Sequence, residues 1–198
     1  MSNSKVSLSL RSRLGGRNLY LVGMMGSGKS ATGPLLAEYL AYAFVDVDVV
    51  IEKVSKRSIA TMFEKEGEEE FRRIETQVLN EIGQHHSLVV ATGGGVVTRH
   101  ENWGILHQGI VIWLDPGREC LLERLQADPV KRPLLETQDP VKAFDALLKA
   151  RQQFYSEADY HVVIENQDPE EVANRVLEGL PSILRKPEDL GAQQTTGV

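Results

Sequence analysis

The run Gly23-Met24-Met25-Gly26-Ser27-Gly28-Lys29-Ser30 fits the spacing G-x-x-x-x-G-K-[ST] at every fixed position, and those residue types in that order suit the gripping of a polyphosphate. Glycines let the backbone take conformations closed to residues with a Cβ, so successive N–H groups can turn toward phosphate oxygens. Lys29 adds a mobile positive charge for β- and γ-phosphates, and the Ser30 hydroxyl can ligate Mg²⁺. Residues 18–22 before the run read as a short buried strand. Residues 30–40 after it read as a helix whose N-terminus points partial positive charge at the same anion. Pro34 removes the N–H that would bond back to Ser30, which predicts a small kink there and not a break.

Two carboxylates, Asp46 and Asp48, end a second apolar run. Beside a triphosphate, one could assist Mg²⁺ while the other accepts a hydrogen bond from an attacking hydroxyl; alternatively, one of them only caps the helix expected over residues 47–54. Gly93-Gly94-Gly95 directly follows a third strand-like run, and three glycines at the mouth of a sheet let another molecule approach the backbone closely. That third run carries no acidic residue, so Asp46 is left to help hold the metal, through water.

Four arginines complete the set. In the helix expected over residues 66–83, Arg72 is followed one turn later by Glu75, which could hold the guanidinium in place, although a solvated pair with Glu68 has the same spacing. Arg151 interrupts the apolar stripe Val141, Phe144, Leu148, Tyr155 of a helix over residues 141–157. A planar guanidinium there suits a carboxylate ligand held in two places, or else snorkels at the edge of the core. Arg132 lies in a polar loop after the helix that bears Arg124. A loop so placed reads as a lid, over about residues 126–140, bringing Arg132 onto a phosphoryl group, or as a surface loop with an idle arginine. The five histidines show no metal-ligand spacing.

These residues need a scaffold, and the chain supplies the pattern of one. At 198 residues, 41% apolar and 25% charged, it is long enough for a single core. Short apolar runs at 18–22, 42–46, 87–92, 110–114 and 161–164 alternate with helical patterns, as in a parallel sheet covered on both faces, an α/β architecture. Ligands in such sheets lie beyond the carboxyl ends of the strands. That rule selects the phosphate loop, the Asp pair and the triple glycine.

A net charge of −6 argues against a nucleic-acid partner, and no apolar run approaches a membrane span. One cysteine, Cys120, excludes an internal disulfide and fits a reducing compartment, the cytoplasm. Residues 1–17, rich in Ser, Arg and Lys, read as a mobile leader, with a plastid transit peptide as the alternative. Residues 181–198 read as a mobile tail. Between them stands one domain over 18–180, with no stripe left over for an interface and hence expected to be a monomer.

Taken in order, Gly23 to Ser30, Asp46-Val47-Asp48, Phe71-Arg72-Arg73-Ile74-Glu75, Gly93-Gly94-Gly95, Arg132-Pro133-Leu134-Leu135 and Arg151 resemble the shikimate kinase family over about residues 18–178. The resemblance implies a three-layer P-loop fold like that of nucleoside monophosphate kinases, with a five-stranded parallel sheet in the order 2-3-1-4-5 and substrate-binding helices over about 47–83. It implies transfer of the ATP γ-phosphate to the 3-hydroxyl of shikimate. ATP would then meet Gly26, Ser27, Gly28, Lys29, Ser30, Ala31, Arg124, Arg132 and Gln167. Asp48 would hold the ring hydroxyls and accept the proton, Arg72 and Arg151 would clamp the substrate carboxylate, and the Gly94 N–H would face the substrate. Lys29 and Arg132 would neutralise the phosphoryl group in flight, with Mg²⁺ on Ser30 directly and on Asp46 through water. The loop Asn166-Gln167-Asp168-Pro169 lacks the arginine that some relatives set against adenine. A gluconate kinase is the nearest rival, disfavoured by the Phe71-Arg72 helix and the Arg132-Pro133 lid. A nucleoside monophosphate kinase would need arginines in place of Asp48. A catalytically silent nucleotide-binding relative is the rival of another class.

Overall fold

The computed structural model describes residues 3–128, 132–165 and 167–184, with side chains from residue 9 onward. Five strands, β1 (Leu19–Val22), β2 (Ala43–Asp46), β3 (Leu88–Ala91), β4 (Ile110–Asp115) and β5 (Tyr160–Val163), pair in parallel in the order β2-β3-β1-β4-β5. Each lies within one residue of its expected place. β1 is central, with Leu21 opposite both Ala91 of β3 and Ile112 of β4. All four of its residues are buried, the reason its sequence is an unbroken apolar run.

Side chains alternate across this sheet, so neighbours along a strand enter different cores. Tyr20, Val22, Val90, Val111 and Trp113 face one side, packed with residues of α3 (Val47–Ser55), α4 (Ile59–Gly83), α5 (His100–Leu106) and α7 (Pro140–Tyr155). Leu19, Leu21, Val89, Ile110, Ile112 and Leu114 face the other, under α1 (Asn3–Leu14), α2 (Lys29–Leu40) and α8 (Pro169–Ile183). The helix α6 (Gly117–Ala127) runs beside the phosphate loop, with Leu121 buried. Three layers result, and both cores exclude water from the sheet.

α2 continues through Pro34 to Leu40, so the proline does not break it. α4 differs from expectation. It begins at Ile59, capped by the Ser58 hydroxyl, and is interrupted at Gly67, whose φ of 81° lies in the left-handed region. The acidic run around Gly67 hides this in the sequence, because only the second half carries a long apolar stripe.

The expectation of a mobile leader over residues 1–17 is corrected from residue 3 onward, residues 1 and 2 lying outside the described residues. Asn3–Leu14 is a helix, with Leu10 and Leu14 buried in the second core. Their spacing of four puts both on one helical face. Arg13 Nη2 donates to the carbonyls of Pro181 and Leu184 at 3.0 and 2.7 Å, satisfying the end of α8. Residues 181–184, assigned to the tail, therefore belong to the domain, while the rest of that tail, 185–198, lies outside the described residues. So do lid residues 129–131 and Asn166. No helix among the described residues is long and apolar enough to cross a membrane.

Because Leu14 is fully buried, Leu14→Ala is expected to lower the free energy of unfolding by about 2–5 kcal/mol. Denaturant titration checks this, and an unchanged midpoint would return residues 1–17 to the status of a loose leader.

Candidate active site

The loop between β1 and α2 is built by backbone shape. Gly28, at the N-cap of α2, has φ 93°, and Gly26 has φ 80°, conformations that L side chains rarely adopt. Lys29 folds back inside the loop and donates to the carbonyls of Gly23 and Met24 at 2.8 and 2.9 Å and to Ser27 Oγ at 3.1 Å. Burial pulls its pKa down to about 8, against the upward pull of Asp48 and Asp46. An anion at the mouth of this loop would find the helix N-terminus and the ammonium together.

Ser30 Oγ donates to Asp46 Oδ2 at 2.6 Å. The other oxygen of Asp46 accepts from the Asp48 N–H at 3.1 Å and caps α3. Capping and site roles therefore fall on the same carboxylate, one oxygen each. A hydroxyl and a carboxylate oxygen side by side at the end of a phosphate loop are hard donors of the kind Mg²⁺ takes.

Asp48 stands in the first turn of α3, its Oδ1 buried and without a hydrogen-bond partner among the described residues. Burial, then the charges of Glu75 and Asp46, push its pKa up to about 6. Glu75, fully buried, is also raised by burial, opposed by Arg72. Arg72 donates from Nη1 to Glu75 Oε2 at 2.8 Å, and from Nε and Nη2 to Glu68 Oε1 at 3.2 and 3.1 Å. Both spacings read from the sequence are thus occupied at once.

Arg151 is 3% exposed. Among the described residues it makes no ion pair within 4 Å; its Nη1 lies 4.0 Å from Met24 Sδ, and its guanidinium donates to the Tyr155 hydroxyl oxygen. Burial lowers its pKa, partly offset by Tyr155. Arg72 thus faces two carboxylates directly, whereas Arg151 has none within 4 Å among the described residues.

The triple glycine shows why no Cβ is admitted. A Cβ on Gly93 would overlap the Glu75 carboxylate, one on Gly94 would press on the phosphate loop at Met25 N, 3.2 Å away, and one on Gly95 would overlap the Arg72 guanidinium. The three carbonyls are taken by Val96 N, the Tyr155 hydroxyl, and the N–H and hydroxyl of Thr98. None of the three glycine N–H groups has a protein acceptor among the described residues.

Two adjoining cavities result. The larger, about 510 Å³, is lined by Gly26 to Thr32, Asp46, Arg124 and Gln167. The smaller, about 90 Å³, is lined by Ile59, Phe63, Phe71, Arg72, Glu75, the three glycines, Pro133, Leu134 and Arg151. Met25, Asp48, Gly94 and Arg132 line both, so they stand where something could pass from one to the other. Arg124 Nη1 donates to the Gly26 carbonyl at 3.1 Å, and Arg132 Nη2 pairs with Asp128 Oδ2 at 2.6 Å. Gln167 lines the large cavity while its Oε1 accepts from the Glu165 N–H.

Every site residue singled out from the sequence lines one of these cavities. Sequence reasoning gave Glu75 only a supporting place, named Tyr155 in an apolar stripe and Leu134 in a motif without a site role for either, and missed Ile59 and Phe63. The signal for Glu75 was its spacing from Arg72. The others reach the site through tertiary contacts alone.

Residues 25–181 match the shikimate kinase family. The chain is 58% identical over 187 residues to a curated shikimate kinase of Prochlorococcus marinus strain MIT 9313, covering 94% of this chain and 97% of that one. It is 59% identical over 184 residues to that of Parasynechococcus marenigrum, covering 93% and 96%. Among solved structures, shikimate kinase from Acinetobacter baumannii in complex with shikimate superposes with a TM-score of 0.82 at 39% identity, covering 87% of this chain and 97% of that one. A gluconokinase from Sinorhizobium meliloti 1021, at 18% identity and a TM-score of 0.56, shares the fold. The chain belongs to the shikimate kinase family.

Proposed function

We propose that this protein phosphorylates the 3-hydroxyl of shikimate with ATP, the nucleotide in the larger cavity and the hydroxy acid in the smaller. The observation that carries the reading is the buried Arg151 guanidinium, with no carboxylate within 4 Å among the described residues, in the same small cavity as the unpartnered Asp48 Oδ1. One asks for a carboxylate and the other for a hydroxyl. The A. baumannii shikimate kinase in complex with shikimate has the same fold, and the shikimate of that complex is the substrate proposed here.

The polyphosphate lies along the N–H groups of residues 26–31, and Lys29 exchanges its carbonyl partners for phosphate oxygens, a stronger charge-assisted bond. Arg124 and Gln167 bound the nucleotide side. Arg72 and Arg151 hold the substrate carboxylate, Gly94 N–H meets the substrate, and Phe63, Phe71 and Leu134 exclude water from the ring. Ser30 and Asp46 would hold Mg²⁺, Asp46 through water, and the ion would supply charge neutralisation for the polyphosphate. Asp48 accepts the hydrogen bond of the 3-hydroxyl, orients its oxygen at the γ-phosphorus, and takes the proton as the new O–P bond forms and the bond to ADP breaks. Lys29 and Arg132 meet the charge on the transferring group, where positioning and electrostatics supply most of the rate. The chain works as a monomer in the cytoplasm. For a monomer, the support is that its large exposed apolar side chains, among the described residues, are the valines 49, 54, 141 and 163; for the cytoplasm, it is the single cysteine, Cys120.

Release of ADP from Mg-ATP is expected with shikimate and not with gluconate, AMP or buffer alone. Turnover with another acceptor, or none in protein that binds ATP, would contradict the reading. Asp48→Asn is expected to keep ATP affinity within about twofold while kcat falls roughly 10²–10⁴-fold; a near-native kcat would remove Asp48 from the proton path. With a raised pKa, Asp48 is protonated as pH falls through about 6. The wild-type kcat/KM should therefore decline toward tenfold per unit on the acidic side of that value, and a profile flat down to pH 4.5 would show another proton acceptor.

A further inference from the structure

Tyr155 is a fully buried phenol that the proposed chemistry does not use. It ends α7 one turn after Arg151, so the two side chains share a helical face. Its hydroxyl donates to the Gly94 carbonyl at 2.5 Å, across 61 residues of sequence. Its ring stacks on Trp113 of β4, with centroids 5.7 Å apart and planes at 25°. Trp113 in turn stacks on His161 of β5 at 3.8 Å and 8°, and His161 Nε2 lies 3.0 Å from Asp115 Oδ2. The phenol is thus backed by two sheet strands; its proton goes to the Gly94 carbonyl, and its oxygen accepts from the Arg151 guanidinium.

Gly94 lies against the phosphate loop on one side and the Arg151 guanidinium on the other; a Cβ placed there would stand 3.2 Å from Met25 N and 3.6 Å from Arg151 Nη1. The Gly93 and Gly95 carbonyls are held by local turns, to Val96 and Thr98. The Gly94 carbonyl alone is held from another element. We propose that Tyr155 is a positioning residue for the hydroxy-acid substrate: by tying the Gly94 carbonyl to α7, it fixes the spacing between the Arg151 guanidinium and the glycine N–H groups, the two sides of the acid-binding cavity. This rests on the shikimate reading above. Burial raises the phenol's pKa, opposed by the Arg151 cation, so the hydroxyl stays a donor throughout the working pH range.

Loss of the hydroxyl leaves the ring stack and the cavity volume nearly unchanged, so Tyr155→Phe removes only the hydroxyl's tie between the Gly94 carbonyl and the Arg151 guanidinium. The expected result is a KM for shikimate raised about tenfold, with the KM for ATP within twofold; thermal stability falls as well, because the Gly94 carbonyl loses its donor. A purely structural role would move both KM values together, or neither, and either outcome overturns the proposal. Should Tyr155→Phe not fold, as judged by ATP binding, Trp113→Phe decides. It keeps the hydroxyl but thins its backing, and is expected to raise the shikimate KM several-fold without touching that for ATP; equal KM values to wild type would overturn the assignment. Wild-type protein that turns over no shikimate at all would refute the substrate reading itself, a result separate from either variant's.

Discussion

A guanidinium held out of water without a carboxylate against it is the constraint around which this protein is organised. Desolvating a charge costs several kcal/mol unless it is paired, and the protein meets that cost at Arg72 by closing Glu68 and Glu75 around it. At Arg151 it does not, among the described residues. α7 holds that side chain in the core with Phe144 and Tyr155 buried on the same face. The folded state therefore carries an unmet demand for an anion, and a substrate carboxylate meets it. Binding energy spent there positions the far side of the substrate, where Asp48 and the phosphoryl group stand.

Everything else places the reacting groups around that demand. The central position of β1 brings the loops after β1 and β3 to the same end of the sheet. Gly93, Gly94 and Gly95 fill the gap between them because the space is already taken by Glu75, the phosphate loop and Arg72. Gly94 is part of the wall that the two cavities share, so the nucleotide and acceptor sites meet at it. Carboxylates at 46, 48 and 75 crowd this wall, which is why burial and mutual repulsion raise the Asp48 pKa toward the working range of a proton acceptor.

Much of this was legible in the sequence, for physical reasons that differ by element. Strands buried on both faces must be continuous apolar runs, so their places were readable to within a residue. The strand order was not in those runs; it came with the family resemblance. The phosphate loop was legible because only glycines, a lysine and a hydroxyl at fixed spacing can do its work. Arg151 was visible as a charge interrupting an apolar stripe, though only the structure shows that no carboxylate meets it among the described residues. The helix at Asn3–Leu14 was hidden because its serines and arginines outweigh the Leu10–Leu14 pair. The break at Gly67 was hidden in an acidic run, and the bond from Tyr155 to Gly94 spans 61 residues, a distance over which no local pattern speaks.

The most direct test of the account is the affinity of Arg151→Gln for shikimate and for ATP, each measured by calorimetry beside the wild type. If the unpaired guanidinium recognises the acid, shikimate affinity falls by about ten- to a hundredfold while ATP affinity holds. Unchanged shikimate affinity would mean that Arg151 is a core arginine whose charge the protein tolerates without use, and the organising role given to it would be wrong.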